Sequence, residues 1–330
     1  MNLPMNIGLI GCGRAAEKLY LPNLLKMNKE FRIIAVADPL PERRELFRST
    51  ILNCNAFASV EDLLKKSGVD AVIITSPPET HLDIAILSLK SGIHAFVEKP
   101  LSTLLVGTEK LESLSTSFGG KIMLGFNRRY WKPVQCLHDV LSKYDKKNIE
   151  CAQLVMRSDI KSWSPVCGPG QVLDDLGSHQ IDMIRYIFRC EIVSICAKKI
   201  DPQAINMKVK LDSGIYVKCL LSYGDRSYES ISIKTIDHKF LIHMGSDRIT
   251  PSEGLTRSML DLTDKIVRHI NFSKSSIKDS YIKELKTFLH CIRTGSSPSP
   301  GIKDGIAAIK AIDAARQSIN KDGQEVSIIL

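Results

Sequence analysis

Short apolar runs alternate with segments of helical periodicity through the first 124 residues. The apolar runs predict strands at residues 7–10, 32–37, 69–74, 93–97 and 121–125. Apolar residues at helical spacing predict helices at residues 15–27, 41–49, 79–91 and 102–117, and Ser59 is placed to cap a further helix. Alternation of this kind predicts an α/β domain with a doubly wound parallel sheet.

After about residue 125 the pattern changes to closely spaced runs with period-two alternation. Strands are predicted at residues 148–157, 191–200, 205–211, 215–223, 229–235 and 239–244. Helices are predicted at residues 171–188, 280–293 and 305–320. We therefore divide the chain into domains at 1–124 and 125–330, the second an α+β domain with a large open, mostly antiparallel sheet. The helix at 305–320 is expected to pack back on the first domain.

Composition fits an ordinary globular protein of two domains, with 330 residues, 44% hydrophobic and 25% charged. No apolar run approaches the roughly 18–20 residues that span a bilayer, and no signal sequence precedes the first strand. The nine cysteines are scattered and form no Cys-x-x-Cys pair, which is typical of a reducing compartment. We expect a cytoplasmic protein with no membrane partner and no metal site.

The formal net charge of +9 admits nucleic-acid binding as one interpretation. Basic residues are interleaved with acidic ones, however, as in residues 261–286. A solvated basic surface is the simpler interpretation, and no nucleic-acid partner is expected. An anionic substrate such as a nucleotide sugar or sugar acid stays open.

The stretch Gly11-Cys12-Gly13-Arg14-Ala15-Ala16 directly follows the first predicted strand and opens a helix. Gly11 permits a tight turn, Gly13 lets backbone approach a pyrophosphate, and Ala16 allows close packing of helix on strand. Asp38 ends the second strand, where an acidic residue bonds the ribose hydroxyls. The pattern predicts a dinucleotide site that includes Gly11, Gly13, Arg14, Ala15 and Asp38. A fold of the same kind without nucleotide is the alternative.

An acidic residue at Asp38 favours NAD, because its charge repels the 2′-phosphate of NADP. Arg43 and Arg44 lie close in sequence and could accept that phosphate. NADP is therefore kept as a second possibility.

Two further stretches carry candidate chemistry. Lys99 follows a predicted strand, at the edge where open α/β sheets bind ligands, and could stabilise a developing alkoxide. Asp175 and His179 are four residues apart, so on a helix they share a face, with Asp182 three residues further. A histidine flanked by carboxylates suits general base catalysis. A surface lysine and a helix histidine with capping aspartates are the structural alternatives.

Six motifs then occur in an order that resembles the glucose–fructose oxidoreductase, inositol dehydrogenase and rhizopine-catabolism (Gfo/Idh/MocA) family. They are Gly11-Cys12-Gly13-Arg14, Asp38-Pro39, Ser76-Pro77-Pro78-Glu79-Thr80-His81, Glu98-Lys99-Pro100, Gly125-Phe126-Asn127-Arg128-Arg129 and Asp175-x-x-x-His179-x-x-Asp182. The resemblance covers nearly the whole chain. This sequence departs from the family pattern at Gly168-Pro169-Gly170-Gln171, where members often have three glycines. In addition, Asp174 lies beside Asp175 as a second carboxylate.

The resemblance implies an N-terminal Rossmann domain and a C-terminal domain for substrate binding and oligomerisation. It implies Lys99, Asp175 and His179 as catalytic residues. The cofactor contacts that it implies, besides the fingerprint and Asp38, are Thr75, Ser76, Pro77, His81, Glu98, Lys99 and Asn127. Arg128, Tyr130 and Trp163 are predicted substrate contacts, from their positions after a strand end or in the loop 158–171.

The predicted function is NAD(P)-dependent hydride transfer to or from a secondary alcohol or ketone of a sugar, cyclitol or nucleotide sugar. An NAD-using glycosidase-type relative and a non-catalytic nucleotide-binding sensor are the alternatives. The second sheet carries apolar residues at alternate positions, and few helices are available to cover it. A homodimer or homotetramer built on that sheet is therefore expected.

Overall fold

The computed structural model describes residues 3–159, 172–236, 239–244, 248–249 and 277–329. The chain divides into two units. The first unit combines Met1–Asn127 with Tyr281–Ile309, and the second combines Arg128–Ser280 with Lys310–Leu330.

The first unit is built on a six-stranded parallel sheet, as the sequence predicts. Its strands are β1 (Met5–Ile10), β2 (Phe31–Ala37), β3 (Asn55–Phe57), β4 (Ala71–Ile74), β5 (His94–Val97) and β6 (Ile122–Leu124). Their order is β3-β2-β1-β4-β5-β6, and every neighbouring pair is parallel. The strand order reverses between β1 and β4, which is the point where doubly wound sheets bind ligands at their carboxyl edge.

The α-helices of the described residues follow in chain order. They are α1 (Leu21–Lys26), α2 (Pro41–Thr50), α3 (Val60–Lys66), α4 (His81–Lys90), α5 (Thr108–Phe118), α6 (Lys132–Leu141), α7 (Ser178–Phe188), α8 (Lys278–Thr294) and α9 (Ile302–Asn320). A π-helical turn, Ala16–Tyr20, precedes α1, and another, Leu173–Gly177, precedes α7.

Two differences from the predicted helices have local causes. The helix predicted from residue 102 begins at Thr108, because Gly107 before it has φ of +88° and cannot lie within a right-handed helix. Helix α6 was not predicted, although Pro133 in its first turn and buried Val134, Leu137 and Leu141 at helical spacing mark it.

Aromatic rings from both ends of the chain pack in the core of the first unit. Tyr20 meets Phe96 and Tyr281 edge-on, with ring centroids 5.6 Å and 5.8 Å apart. Phe96 meets Phe288 in the same way at 5.8 Å. The C-terminal segment 281–309 therefore completes the core that the first 127 residues begin.

The second unit contains an eight-stranded sheet in the order β13-β12-β11-β7-β10-β9-β8-β14. Its strands are β7 (Ile149–Asp159), β8 (Ile192–Asp201), β9 (Ala204–Leu211), β10 (Tyr216–Gly224), β11 (Tyr228–Thr235), β12 (Lys239–Met244), β13 (Arg248–Ile249) and β14 (Val326–Ser327). β7 and β10 are parallel, and the other pairs are antiparallel. This confirms the predicted mostly antiparallel sheet.

The two faces of this sheet differ in chemistry. Along β10, Val217, Cys219, Leu221 and Tyr223 are buried on one face. The opposite face carries exposed polar and basic side chains, namely Asn206, Lys208, Tyr216 and Lys218. The apolar alternation therefore belongs mainly to the buried face, while the open face is mixed, because half-buried Val155 and Leu220 lie among its polar and basic side chains.

Candidate functional site

The glycine-rich turn after β1 forms an open cradle. Gly11 has φ of +88°, and a Cβ there would lie 2.6 Å from the backbone of Ser76, so only glycine fits. A Cβ on Gly13 would meet nothing within 4 Å. The backbone at Gly13 therefore faces open space, as a pyrophosphate site requires. Arg14 and Ala15 open the helical segment that follows.

Asp38, directly after β2, has its carboxylate fixed by two backbone groups. Oδ2 accepts a hydrogen bond from the Cys12 N–H at 2.7 Å, and Oδ1 accepts one from the Leu40 N–H at 2.9 Å. Arg44 Nη1 donates to the carbonyl oxygens of Asp38 and Pro39, and Arg43 Nη1 lies 3.7 Å from Glu17 Oε2. The carboxylate is therefore held beside the cradle, and both arginines have partners within the chain.

The thiol of Cys12 in the same turn is buried, which disfavours its reactive thiolate form. Burial raises its pKa to about 12, and the neighbouring charge of Asp38 adds to the shift. The thiolate, which is the reactive form, is therefore scarce near neutral pH.

The loop after β4 is tied to the cradle. The Thr75 N–H donates to the Ile10 carbonyl at 2.8 Å, and Thr75 Oγ1 donates to the Gly11 carbonyl at 2.8 Å. The Ser76 and Thr80 hydroxyls are 2.7 Å apart, and Pro77 lies between them in sequence. These hydrogen bonds fix the positions of Thr75, Ser76 and Pro77, the predicted cofactor contacts in this loop.

His81 joins two loops of the carboxyl edge. It is 1% exposed, its Nδ1 lies 2.7 Å from the Pro100 carbonyl oxygen, and its Nε2 lies 2.8 Å from the Ser76 carbonyl oxygen. Both ring nitrogens thus face the backbone. The structure gives His81 a positioning role, while its predicted cofactor contact stays a prediction.

Lys99 follows β5 in a turn that Glu98 holds. Glu98 Oε2 accepts a hydrogen bond from the Lys99 N–H at 2.7 Å, and Oε1 accepts one from the Tyr20 hydroxyl at 2.7 Å. The Lys99–Pro100 peptide is cis, and Lys99 is half-buried. Tyr20 also lies 3.5 Å from buried Glu284, and burial followed by these two carboxylates raises its pKa well above the usual range. Sequence analysis missed both Tyr20 and Glu284.

Asp175 lies on the π-helical turn before α7, and His179 lies on α7 itself. The Tyr223 hydroxyl donates to Asp175 Oδ2 at 3.2 Å. The adjacent Asp174 instead accepts a hydrogen bond from Arg316. The two neighbouring carboxylates therefore have different partners, and Tyr223 is a site residue that sequence analysis missed.

Asp182, one turn beyond His179, belongs to a buried ion pair. Arg129 Nε donates to its Oδ2 at 2.9 Å, and Nη2 donates to Oδ1 at 2.5 Å. The Arg129 guanidinium also lies 5.3 Å from the Tyr186 ring centroid, on which His138 stacks. Asp182 is thereby a structural partner of Arg129.

The predicted substrate contacts differ in their burial and in their hydrogen-bond partners. A 3-10 turn spans Asn127–Tyr130, in which Asn127 and Tyr130 are buried. Arg128 is half-buried, and its Nη2 donates to Glu229 Oε1 at 2.6 Å. Trp163 and the stretch 168–171 lie outside the described residues.

The structure brings the predicted cofactor residues to one edge of the first sheet. Gly11, Asp38, Thr75 and Glu98 directly follow β1, β2, β4 and β5, and Asn127 follows β6. Parallel strands place their carboxyl ends together, so these side chains share the edge. Within the described residues, no cluster of His, Cys, Asp or Glu has the geometry to hold a metal ion. In the same part of the chain, no helix has the length and hydrophobicity to cross a membrane.

Comparison with known proteins agrees with this geometry. A family model described as "Oxidoreductase family, NAD-binding Rossmann fold" matches residues 5–126. Myo-inositol 2-dehydrogenase of Thermotoga maritima is 24% identical over 326 residues, which cover 96% of this chain and 97% of that protein.

Solved structures share the fold over the full length. The WlbA dehydrogenase of Bordetella pertussis, solved with NADH and UDP-GlcNAcA, has a TM-score of 0.86 at 16% identity, covering 100% of this chain and 99% of that one. Myo-inositol dehydrogenase of Lactobacillus casei, solved with NAD(H) and myo-inositol, has a TM-score of 0.81 at 19% identity, covering 99% and 98%.

Proposed function

We propose that the chain is an NAD-dependent dehydrogenase of the Gfo/Idh/MocA oxidoreductase family, acting on a secondary alcohol of a sugar or cyclitol; the family-model match to residues 5–126 and the full-length relatives support this proposal. The observation that carries the proposal is the carboxyl edge of the first sheet, which collects the open backbone at Gly13, the fixed carboxylate of Asp38 and Lys99. Relatives of known activity are inositol dehydrogenases.

Cofactor binding falls to residues of the first unit. The helix N-terminus after Gly13 offers backbone N–H groups to the pyrophosphate, and Asp38 accepts hydrogen bonds from the ribose hydroxyls. The chemistry that NAD supplies when bound is acceptance of a hydride from the substrate carbon. Thr75, Ser76, Pro77, His81, Glu98 and Asn127 complete the proposed contacts or position them.

Proton transfer is assigned to the second unit and charge stabilisation to the first. His179 takes the proton of the reacting hydroxyl as general base. Asp175, oriented by Tyr223, supports the imidazolium that forms. Lys99 stabilises the developing alkoxide with its positive charge. Arg128 and Tyr130 are the proposed substrate contacts.

The domain assignment, the oligomer and the location in the cell complete the proposal. The first unit, with residues 1–127 and 281–309, binds the dinucleotide, and the second unit, with residues 128–280 and 310–330, binds the substrate and assembles a homodimer or homotetramer in the cytoplasm. The second sheet supports the assembly because its open face carries exposed Tyr216 and half-buried Val155 and Leu220, apolar groups that a second copy could cover. Light scattering at micromolar concentration tests this assembly, and a mass near 36.7 kDa contradicts it.

The experiment that tests the function mixes the purified chain with NAD or NADP and a panel of inositols, sugars and nucleotide sugars. Substrate-dependent absorbance of reduced nicotinamide is the expected result. Release of a product sugar without net reduction of NAD would indicate a glycosidase-type relative. Nucleotide binding with no turnover of any compound would indicate a sensor.

A further inference from the structure

Arg128, a proposed substrate contact, already has a carboxylate partner. Its Nη2 lies 2.6 Å from Glu229 Oε1, and the two side chains are 15% and 14% exposed. The second carboxylate oxygen, Glu229 Oε2, is buried and has no hydrogen-bond partner within the described residues. The guanidinium is therefore the group that balances the charge of Glu229.

The ion pair lies on the same patch of the second sheet as Asp175. Glu229 on β11 stands opposite Met156 of β7, and Tyr223 on β10 stands opposite Ser158 of the same strand. Residues two apart on a strand share a face, so Glu229 and Tyr223 point to one side of the sheet. They sit on the two strands that flank β7, with Cα atoms roughly 12 Å apart from the standard strand spacing and rise.

The charge state of this patch bears on which substrates it accepts. A substrate carboxylate or phosphate binds well to an arginine whose charge is not already shared. Here such a group competes with Glu229 for the guanidinium, so that it either displaces that carboxylate or lies beside it as a second negative charge. Both the lost pairing and the repulsion disfavour an anionic substrate. A neutral polyol leaves the pair intact.

We propose that Glu229 is a specificity-determining residue, which neutralises Arg128 and sets the site for neutral sugars or cyclitols against sugar acids. This inference rests on the proposed function of the site. It narrows the substrate class, because the net charge of +9 by itself leaves an anionic substrate open.

The test compares substrates that differ in one charge. Glucose and glucuronate, and galactose and galacturonate, are assayed with NAD on the wild-type chain and on Glu229→Gln. Wild type is expected to give at least about tenfold higher kcat/KM for the neutral member, the effect of one unfavourable charged contact. Glu229→Gln keeps the shape of the side chain and removes its charge. The ratio of kcat/KM for the sugar acid to kcat/KM for the neutral sugar therefore rises at least about tenfold.

Two further variants make the result specific. Glu150→Gln neutralises a carboxylate of the same sheet that pairs with exposed Lys234, and it leaves the ratio unchanged. Glu229→Asp keeps the charge but draws it back by one methylene, and it shifts the ratio in the same direction to a smaller extent. The aspartate variant carries the test if the glutamine variant does not fold.

Binding of each sugar to the NADH complex is measured in parallel by calorimetry. Turnover of glucuronate that equals or exceeds that of glucose in wild type overturns the inference and leaves the proposed function standing. An acid-to-neutral ratio of kcat/KM that is unchanged in Glu229→Gln likewise overturns the inference and leaves the proposed function standing. If neither these sugars nor any compound of the wider panel of inositols, sugars and nucleotide sugars is turned over, the proposed function fails, and the calorimetric ratio alone decides the role of Glu229.

Discussion

The hydroxyl of Tyr223 donates a hydrogen bond to Asp175 Oδ2 across 3.2 Å. The two residues are 48 positions apart and belong to β10 and to the π-helical turn before α7. Tyr223 is 7% exposed, so its ring is fixed by the sheet beneath it. The bond therefore sets the direction of a carboxylate that the proposed mechanism places beside His179.

Tyr223→Phe is expected to lower kcat about five- to tenfold, because one hydrogen bond to the Asp175 carboxylate is lost while the ring still packs. The KM for NAD should stay the same, since the cofactor residues belong to the first unit. Steady-state kinetics over a pH series check this prediction. The limb of the kcat–pH profile that reports ionisation of the general base His179 is expected to shift. Tyr216→Phe, on the opposite face of the same strand, is the control; an equal effect there contradicts the assignment.

Lys99→Ala and His179→Ala are each expected to lower kcat by about 10²–10⁴-fold, the usual contribution of such groups. NAD binding, followed by fluorescence titration, should persist in His179→Ala. Exposed Lys90 and His290 provide alanine controls with native turnover. Near-native turnover of His179→Ala would make the helix histidine structural, and His179→Asn replaces it if the alanine variant does not fold.

The wild-type chain is expected to bind NAD more tightly than NADP, because the fixed carboxylate of Asp38 bonds ribose hydroxyls and repels a 2′-phosphate. Asp38→Ala should weaken NAD binding about ten- to a hundredfold and narrow the gap to NADP. Titration of both cofactors gives the result. Asp70→Ala removes an exposed carboxylate that accepts the Asn6 N–H, away from the carboxyl edge, and should change neither affinity.

Two glycines of the cradle should respond differently to alanine. The Cβ added by Gly13→Ala has no atom within 4 Å, so the thermal unfolding temperature should stay close to that of wild type. NAD binding should weaken, because the methyl group occupies the space proposed for the pyrophosphate. Gly11→Ala adds a Cβ 2.6 Å from Ser76 backbone at positive φ, so stability itself falls. A Gly13→Ala variant with wild-type NAD affinity would show that the cradle does not hold the cofactor.

The Arg129–Asp182 pair predicts a stability effect. Arg129→Met or Asp182→Asn removes one charge of a buried ion pair and should cost about 3–5 kcal/mol, whereas the double variant costs less than the sum. Urea denaturation followed by the fluorescence of neighbouring Trp131 measures this. The control is Glu191→Gln, whose pair with Arg185 is partly exposed and should contribute about 1 kcal/mol or less. Equal losses from both pairs contradict the interpretation.

Both sheets could be predicted from the sequence because their signals are local. Apolar runs such as Ala71–Ile74 are buried on every residue, and period-two alternation marks β9 and β10. Helix α6 was missed because its apolar residues were placed in a region interpreted as sheet. The start of α5 was missed because a left-handed glycine, Gly107, interrupts a sequence that otherwise has helical spacing.

The candidate site could be predicted only in part, for a different physical reason. Gly13, Asp38 and Lys99 stand out because each follows a strand end in a recognisable motif. The residues that position the candidate site do not stand out in the sequence. Tyr20 bonds Glu98 across 78 positions, and Tyr223 bonds Asp175 across 48. Such contacts depend on how elements distant in sequence come together, which no local pattern records.

The discontinuous first unit imposes an order on biosynthesis. Tyr281 and Phe288, which pack against Tyr20 and Phe96, leave the ribosome after residues 1–127 and after the whole of residues 128–280. At ordinary translation rates that interval lasts roughly ten to thirty seconds. During it Tyr20 and Phe96 lack the two rings that cover them, so the first unit completes its aromatic core only after residues 281–309 have been added.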